Sequence, residues 1–269
     1  MRYHPRLLVL LIFCASASLA ADPGSERASI SLGAFLTDRD TSGRLDSETL
    51  GLGTVIDAED DLGLNSSDTV GRLDAYYRFN PRHRIDFSIF DLSRDATATI
   101  DASIQFGDEI FDINSTISSE YDLTIYKAAY TYSFLIRDNG YLGVTAGLYV
   151  LSTDISMTES NTGQFEAEDL TAPLPVIGLR GDYQLTPRLM LRSSAELFAI
   201  EFDNVDGRLF DFYIGLDYHF HDNFAVGLGY NNVSLDVDAD GSEFKGALDW
   251  TYDGALLNVQ YLFGSFDIR

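Results

Sequence analysis

Cysteine is almost missing. The chain has 269 residues and one cysteine, Cys14, close to its start. The rest of the chain therefore has no disulfide, no thiolate nucleophile and no Cys-ligated metal. Proline is scarce at six residues against 22 glycines, which fits turn-rich all-β structure better than a disordered chain. Positive charge is also scarce. Eighteen Lys and Arg face 42 Asp and Glu, for a net charge of −24. Nucleic-acid binding through a basic surface is excluded. Phosphate-rich surfaces should be repelled unless cations intervene. After the first residues no run of about 18 apolar residues occurs, which excludes a membrane helix.

The start reads as a targeting segment. Arg2 and Arg6 are basic, Leu7–Phe13 is apolar, and Ser18-Leu19-Ala20 places small residues where a signal peptidase reads them. Cleavage is expected before Ala21, giving a signal peptide at 1–20 and one domain at 21–269. Phe13, directly before Cys14, is too large for a lipoprotein anchor signal.

What is present is alternation. In Gly207–Phe220, the residues Phe210, Phe212, Ile214, Leu216, Tyr218 and Phe220 share one parity, and Asp211, Tyr213, Gly215, Asp217 and His219 share the other. Successive strand side chains point to opposite faces, so this stretch has one apolar and one polar face. The pattern recurs along the chain between very short turns: Asn80-Pro81-Arg82-His83, Arg137-Asp138-Asn139-Gly140, Thr186-Pro187 and His221-Asp222-Asn223. That combination predicts an all-β, antiparallel transmembrane β-barrel of about ten strands, with eight or twelve as the neighbouring counts.

The strands are expected at Arg27–Thr37, Val70–Phe79, Arg84 to about Phe106, Phe111–Phe134, Tyr141–Ser152, Leu174–Leu185, Arg188–Phe202, Gly207–Phe220, Phe224–Val237 and Ala247–Phe263. Asp38–Asp68 reads as a large acidic loop with an extra strand at Leu50–Ile56, and Thr153–Asp169 as a second polar loop. The third and fourth strands exceed membrane thickness, so their surplus should stand outside as a hairpin. Short turns belong on the periplasmic side and long loops outside. Tyr77, Phe79, Tyr132, Phe134, Tyr141, Tyr183, Phe220, Phe224, Tyr261 and Phe263 gather near the periplasmic rim as an aromatic girdle.

The leader, the alternating strands, the Asn-Pro and Thr-Pro turns and the aromatic-ended Tyr261-Leu262-Phe263 resemble the small Gram-negative outer membrane barrel proteins, the OmpA/OmpW-like group. The resemblance spans residues 27–263 and is architectural. It implies residence in the bacterial outer membrane, among lipid and lipopolysaccharide, as a monomer. It also supplies a test for enzymes: barrels of this kind that are hydrolases carry a catalytic His near the outer rim. Beyond the leader the histidines are His83, His219 and His221, all in or beside periplasmic turns. A general base there cannot reach an outer-rim nucleophile.

Two constellations remain. Arg72, Asp74, Arg78, Asp86, Lys127, Arg180, Asp182, Arg192, Glu196, Asp211 and Asp217 fall on the lumen parity. Unpaired charge in a confined bore is costly, so they should interlock as an ion-pair network that fills the barrel; a narrow gated pore is the other reading. Arg180-Gly181-Asp182 spells an adhesion tripeptide but lies within a strand. Asp236, Asp238 and Asp240 before Gly241 have the spacing of a calcium loop's first three ligands, and Asp38 and Asp40, with Asp46 further on, come close to the same pattern. Ala247 and Thr49 stand where the bidentate Glu belongs. That leaves weak Ca²⁺ or Mg²⁺ capture, or a solvated acidic loop. No cofactor is expected otherwise. The functional expectation is a non-enzymatic outer membrane barrel with a structural or interaction role, ahead of a narrow channel and of an outer-leaflet hydrolase.

Overall fold

The computed structural model describes residues 26–47, 50–202, 205–240 and 245–266. The leader expected at 1–20, and Glu48, Thr49, Asn204 and Gly241, lie outside them. The elements are β1 (Glu26–Leu45), β2 (Ile56–Asp57), β3 (Ser67–Asn80), β4 (His83–Asp91), β5 (Arg94–Thr99), β6 (Ile104–Phe106) and β7 (Glu109–Phe111). They continue as β8 (Thr116–Arg137), β9 (Gly140–Glu159), β10 (Phe165–Thr186), β11 (Leu189–Phe202), β12 (Val205–His221), β13 (Phe224–Asp240) and β14 (Lys245–Ser265). Ten of them form an antiparallel wall in the order β14-β13-β12-β11-β10-β9-β8-β4-β3-β1. The wall closes where β1 pairs β14 from Glu26↔Ser265 to Leu45↔Gly246. The expected ten-stranded antiparallel barrel is the fold, with short turns at one end and connections of varied length at the other, the tightest joining β11 to β12.

The side-chain pattern reverses partway up. Near the short-turn end the outward positions are apolar and bare: Leu32 is 67% exposed and Ile177 65%. Burying such side chains is worth about 1.5–3 kcal/mol each, so this face needs hydrocarbon, not water. On β1 the apolar run is Ala28 to Leu36, which matches the ~9–11 residues of a tilted membrane strand. Directly above it the outward positions turn polar: Asp38 on β1, Thr69 on β3, Asp91 on β4, Thr171 on β10 and Arg208 on β12. The inward positions change in the opposite sense. Within the belt they carry Arg, Lys, Asp and Glu; above it they carry Phe35, Phe90, Leu151, Val233, Trp250 and Tyr252, all buried. The outer third is thus built like a water-soluble barrel and the rest like a membrane barrel.

This reversal corrects several loop expectations. Asp38–Leu45 is strand, because it stays paired with β14. Thr153–Asp169 is mostly β9 and β10 pairing with each other, with Phe165↔Thr158 at the tip. Leu50–Ile56 contributes only the Ser47↔Gly51 bridge and the start of β2. The third strand breaks after Asp91 and again after Thr99. Its surplus does stand outside the belt, where β5 pairs the upper end of β8, but the tip departs from the expectation. The β6–β7 hairpin folds inward over the mouth, burying Ile104, Phe106 and Phe111, and the stretch 56–64 does the same with Ile56, Ala58, Leu62 and Leu64. Backbone bonds tie the pieces down, from Thr54 N–H to Gln105 and from Gly107 N–H to Leu45. Gly107, at the hairpin turn, has φ +58, a conformation that glycine adopts without strain.

The wall has one low side. β10 meets β11 only from Ile177↔Leu197 downward; above that β10 pairs with β9 alone among the described residues. Pro173 and Pro175 lie in this one-sided stretch. A proline has no N–H for a second neighbour, so the pairing with β11 stops where they begin.

Two outcomes follow from this placement. Leu216→Arg, in the middle of the belt on β12, should lower unfolding stability in vesicles by about 2–4 kcal/mol, and Asn232→Arg, above the belt, by about 0–1 kcal/mol. Equal costs would mean the belt is misplaced. A cysteine at Ser160 should react with a membrane-impermeant maleimide on intact cells, and one at Asp138 should not.

Candidate functional site

The inside of the belt is the one place where ionised side chains converge. Alternation puts them there: each spanning strand offers its even or odd residues to the bore, and the hydrocarbon claims the others. All eleven residues expected on the lumen parity point inward, in two connected layers.

The lower layer lies toward the short turns. Arg192 sits between Asp217 (Nε to Oδ2, 2.7 Å) and Glu26 (3.4 Å). The Tyr76 hydroxyl donates to Glu26 at 2.7 Å. Asp182 receives Arg78 at 3.6 Å and Arg84 at 3.4 Å, and accepts the Tyr141 hydroxyl at 2.8 Å. Asp86 bonds Arg84 Nε at 2.9 Å and lies 3.5 Å from Arg180. The Tyr76 ring is the centre of this layer: Arg84 lies 3.7 Å from its centroid, and Arg78 and Arg192 each 5.5 Å. A ring face attracts cations, so Tyr76 lets three guanidinium groups share a small space.

The upper layer is held by one amine. Lys127 bridges Glu196 (2.5 Å) and Asp211 (2.8 Å) and lies over the Tyr149 ring. Asp211 also accepts the Tyr149 hydroxyl and the Asn231 amide, the latter at 2.7 Å. Arg72 joins Asp74 at 2.9 Å to Asn231 at 2.6 Å, and Ser88 donates to Asp74 at 2.6 Å. Glycine supplies the room. A Cβ on Gly229 would lie 2.6 Å from the Tyr213 ring, and one on Gly227 would lie 2.5 Å from an Asp217 oxygen. Between the layers is a polar cavity of about 100 Å³, large enough for a few waters and bordered by Arg72, Asp74, Asp86, Arg180 and Asp217.

Above the upper layer the bore becomes apolar. Phe35 and Phe90 pack on Tyr252 with ring centroids 5.0 and 5.7 Å away, and Trp250 packs on Tyr252 at 4.9 Å. The outer section also holds buried guanidinium groups: Arg94 pairs with Glu59 and donates to Thr41 Oγ1 at 2.8 Å, and Arg39 lies 3.6 Å from Asp68.

The charged lumen set read from the sequence lacks Arg84 and Glu26, and it leaves out Tyr76 and Tyr149, although both fall on the lumen parity. Arg84 and Tyr149 share parity with residues already on the lumen face, so the signal was present. Glu26 reads as part of the lead-in to β1. Tyr141 belongs to the lumen and not to the girdle, because its hydroxyl reaches Asp182. The other girdle residues at Tyr77, Phe79, Tyr132, Phe134, Tyr183, Phe220, Phe224 and Tyr261 are exposed on the outer face.

The calcium-loop reading is corrected. Asp38 and Asp40 point outward from β1, and Asp236, Asp238 and Asp240 occupy outward positions of β13. Same-face neighbours on a strand are two residues apart, about 6.6–6.8 Å, so their carboxylates cannot wrap one ion. Asp46 binds Arg44 at 2.8 Å and the Gly53 N–H at 2.8 Å. Among the described residues no group of three or more Asp, Glu, His or Cys is placed to hold a metal. What exists instead is like-charge crowding: Asp249 stands opposite Asp236 on the outer extension. Partial burial, Asp236 and Asp40, in that order, push its carboxyl up.

The histidines stay at the short-turn end. His83 contacts Tyr130 and Tyr132, His221 packs on Phe224, and His219 is buried inside the lower rim.

The described fold resembles that of the outer membrane protease OmpT from Escherichia coli, at a TM-score of 0.54 and 10% identity over 89% of this chain and 97% of that one. The chain is an outer membrane β-barrel. Its belt and polar bore place it in a bilayer, which for this fold is the bacterial outer membrane. Weaker likenesses are to Ail, the attachment invasion locus protein of Yersinia pestis, and to Neisserial surface protein A. Ail has a TM-score of 0.37 and 13% identity over 89% of this chain and 99% of that one. For the Neisserial protein the values are 0.36 and 10%, over 88% and 97%. No family model matches the chain, and no curated protein matches it in sequence.

Lys127 carries a sharp expectation. Lys127→Met leaves Glu196 and Asp211 facing each other unneutralised, which should cost about 3–5 kcal/mol of unfolding free energy. Adding Glu196→Gln and Asp211→Asn should recover most of it. If the triple variant is no more stable than the single one, the amine is not the group that holds the layer.

Proposed function

We propose that this chain is a non-enzymatic outer membrane barrel, closed to solutes, that works through its acidic outer end. The observation that carries the reading is the double filling of the bore. An ion-pair network occupies the membrane section and an apolar plug occupies the section above it. An ion entering from outside would have to cross the buried rings of Phe35, Phe90, Trp250 and Tyr252, whose hydrogen-bonding groups are the Trp250 indole N–H and the Tyr252 hydroxyl alone.

Its likeness to a protease concerns the fold. The placement of the histidines supports a barrel without hydrolase chemistry: no described histidine lies near the outer rim, where a general base would be needed. The partner on this reading is the outer leaflet. The carboxylates of Asp38, Asp40, Asp236, Asp238 and Asp249 stand on outward positions just above the belt, at the height of lipopolysaccharide phosphates. Like charges meet there, so Ca²⁺ or Mg²⁺ would bridge the two surfaces as a weakly held counterion layer. The unbroken apolar belt suits a monomer in lipid.

In planar bilayers the purified chain should give no discrete openings. Reproducible unitary steps would end the closed-barrel reading and favour the narrow channel. In vesicles containing lipopolysaccharide, Ca²⁺ titration should release heat that falls in Asp40→Asn and Asp238→Asn. No heat with the parent protein would remove the counterion layer.

A further inference from the structure

The outer section contains a cavity that the closed-barrel reading does not use. It has a volume of about 80 Å³ and an almost wholly apolar lining that includes Leu45, Ala58, Leu62, Phe106, Tyr121 and Met157. A cavity of this kind stays dry and takes apolar guests; one of roughly 150 Å³ takes benzene. By the same ratio, roughly half that volume takes about three carbons, the end of a short alkyl chain.

Its walls come from β1, the 56–64 stretch, β6, β8, β9, β10 and β14, and no residue of β11, β12 or β13 lines it. That open quarter coincides with the low side of the wall, where β10 has lost its pairing with β11. Ile200, on the inward parity of β11, is 38% exposed there.

Carboxylates guard one edge of it. Glu168 and Asp169 belong to the lining itself. Glu166 comes within 3.5 Å of the Asp108 N–H at the β6–β7 turn. No ion pair to Glu166, Glu168 or Asp169 occurs among the described residues. The cations near it are engaged with other acids: Arg94 with Glu59, and Arg44, which also borders the cavity, with Asp46 and Asp238. Burial and the neighbours Glu166, Asp169 and Asp108 push the Glu168 carboxyl up, as expected where acids crowd without a counter-charge.

An apolar slot with acids at its edge has the complement of an amphiphilic cation. We propose that this cavity binds a primary alkylamine, with the alkyl chain among Leu62, Phe106 and Met157 and the ammonium group at Glu166 and Glu168. The proposal is separate from the closed-barrel reading, since it would stand even if the lumen conducted.

The test uses the full chain in zwitterionic nanodiscs, titrated calorimetrically with n-hexylamine, hexan-1-ol and hexanoate. Empty nanodiscs give the partitioning background. Hexylamine should bind saturably, hexanol more weakly by about ten-fold, and hexanoate not at all. Glu166→Gln with Glu168→Gln should bring hexylamine down to the hexanol level. Ala58→Phe, which fills the cavity, should abolish both. Hexanoate binding as tightly as hexylamine would overturn the proposal, as would hexylamine heats equal to those of empty nanodiscs. The double Glu variant keeps side-chain size, and Glu166→Gln leaves an amide oxygen to accept the Asp108 N–H. Should Ala58→Phe fail to fold, the amine-to-alcohol ratio of the parent and of the Glu variant still decides.

Discussion

A strand has two faces, and this barrel has to satisfy two solvents with them. Period-two alternation is fixed by the backbone, but which parity is greasy is a matter of sequence. Across the belt the outward parity meets hydrocarbon; above it the same parity meets water. Each long strand therefore has to swap its polar and apolar sides at one height without losing register. β1 does so between Leu36 and Asp38, while its inward residues pass from Ser31 through Phe35 to Leu45. β14 does so between Ala255 and Asp253 outside, and between Asn258 and Tyr252 inside. The continuous β1–β14 ladder across this height means that the exchange is carried by side chains alone.

The charged section and the plug are two answers to one requirement, that the bore not be empty. Within hydrocarbon the outer face already carries the apolar residues, and a polar interior keeps the chain soluble before insertion. Charges in so narrow a space have to cancel, and they do so through shared partners: Asp182 between two arginines, Lys127 between two acids, Tyr76 under three guanidinium groups. Above the membrane the wall faces water, and an apolar interior becomes the stabilising choice. The plug therefore contributes in the way a soluble core does, and the network contributes mainly by leaving no buried charge alone.

That division also explains what could be read from the sequence. The belt strands were legible because Phe, Leu, Ile and Val alternate with Gly, Asp, Arg and Ser over ten residues or so. The lumen set followed from parity without any contact information. The outer extensions were not legible in the same way. Asp38-Arg39-Asp40 and Asp236-Val237-Asp238 carry acids at every second position, and acids in a row look like a loop or a metal site. Their inward partners, Arg39 and Val237, give no strong alternation by themselves. The roof was harder still. Ile56, Leu62 and Leu64 are scattered in an acidic stretch, and Ile104, Phe106 and Phe111 straddle a turn, so neither follows a period. Their burial depends on a mouth that forms from strands far away in the chain.

The roof and the low side of the wall depend on each other. Pro173 and Pro175 cost β10 its second neighbour, which leaves the upper β9–β10 hairpin without a partner strand on one side. β9 keeps β8 as its other neighbour up to Ile117↔Glu159, so upper β10 is the open edge of the outer sheet. Here Ile155, Met157, Ala172 and Leu174 pack with the plug residues, so the hairpin gains a hydrophobic face from the roof. The roof in turn is held by the hairpin: Gln164, at the β9–β10 turn, donates to Glu109 at 2.7 Å and to the Ile110 carbonyl at 2.9 Å. The outer end should then open as a unit, the β6–β7 hairpin leaving together with the β9–β10 tip, while the spanning ladder below Ile177 keeps its pairing on both sides. The prolines thus do more than end a ladder. They set the height at which a rigid barrel gives way to a separable cap, and they put the acid-edged cavity at that joint.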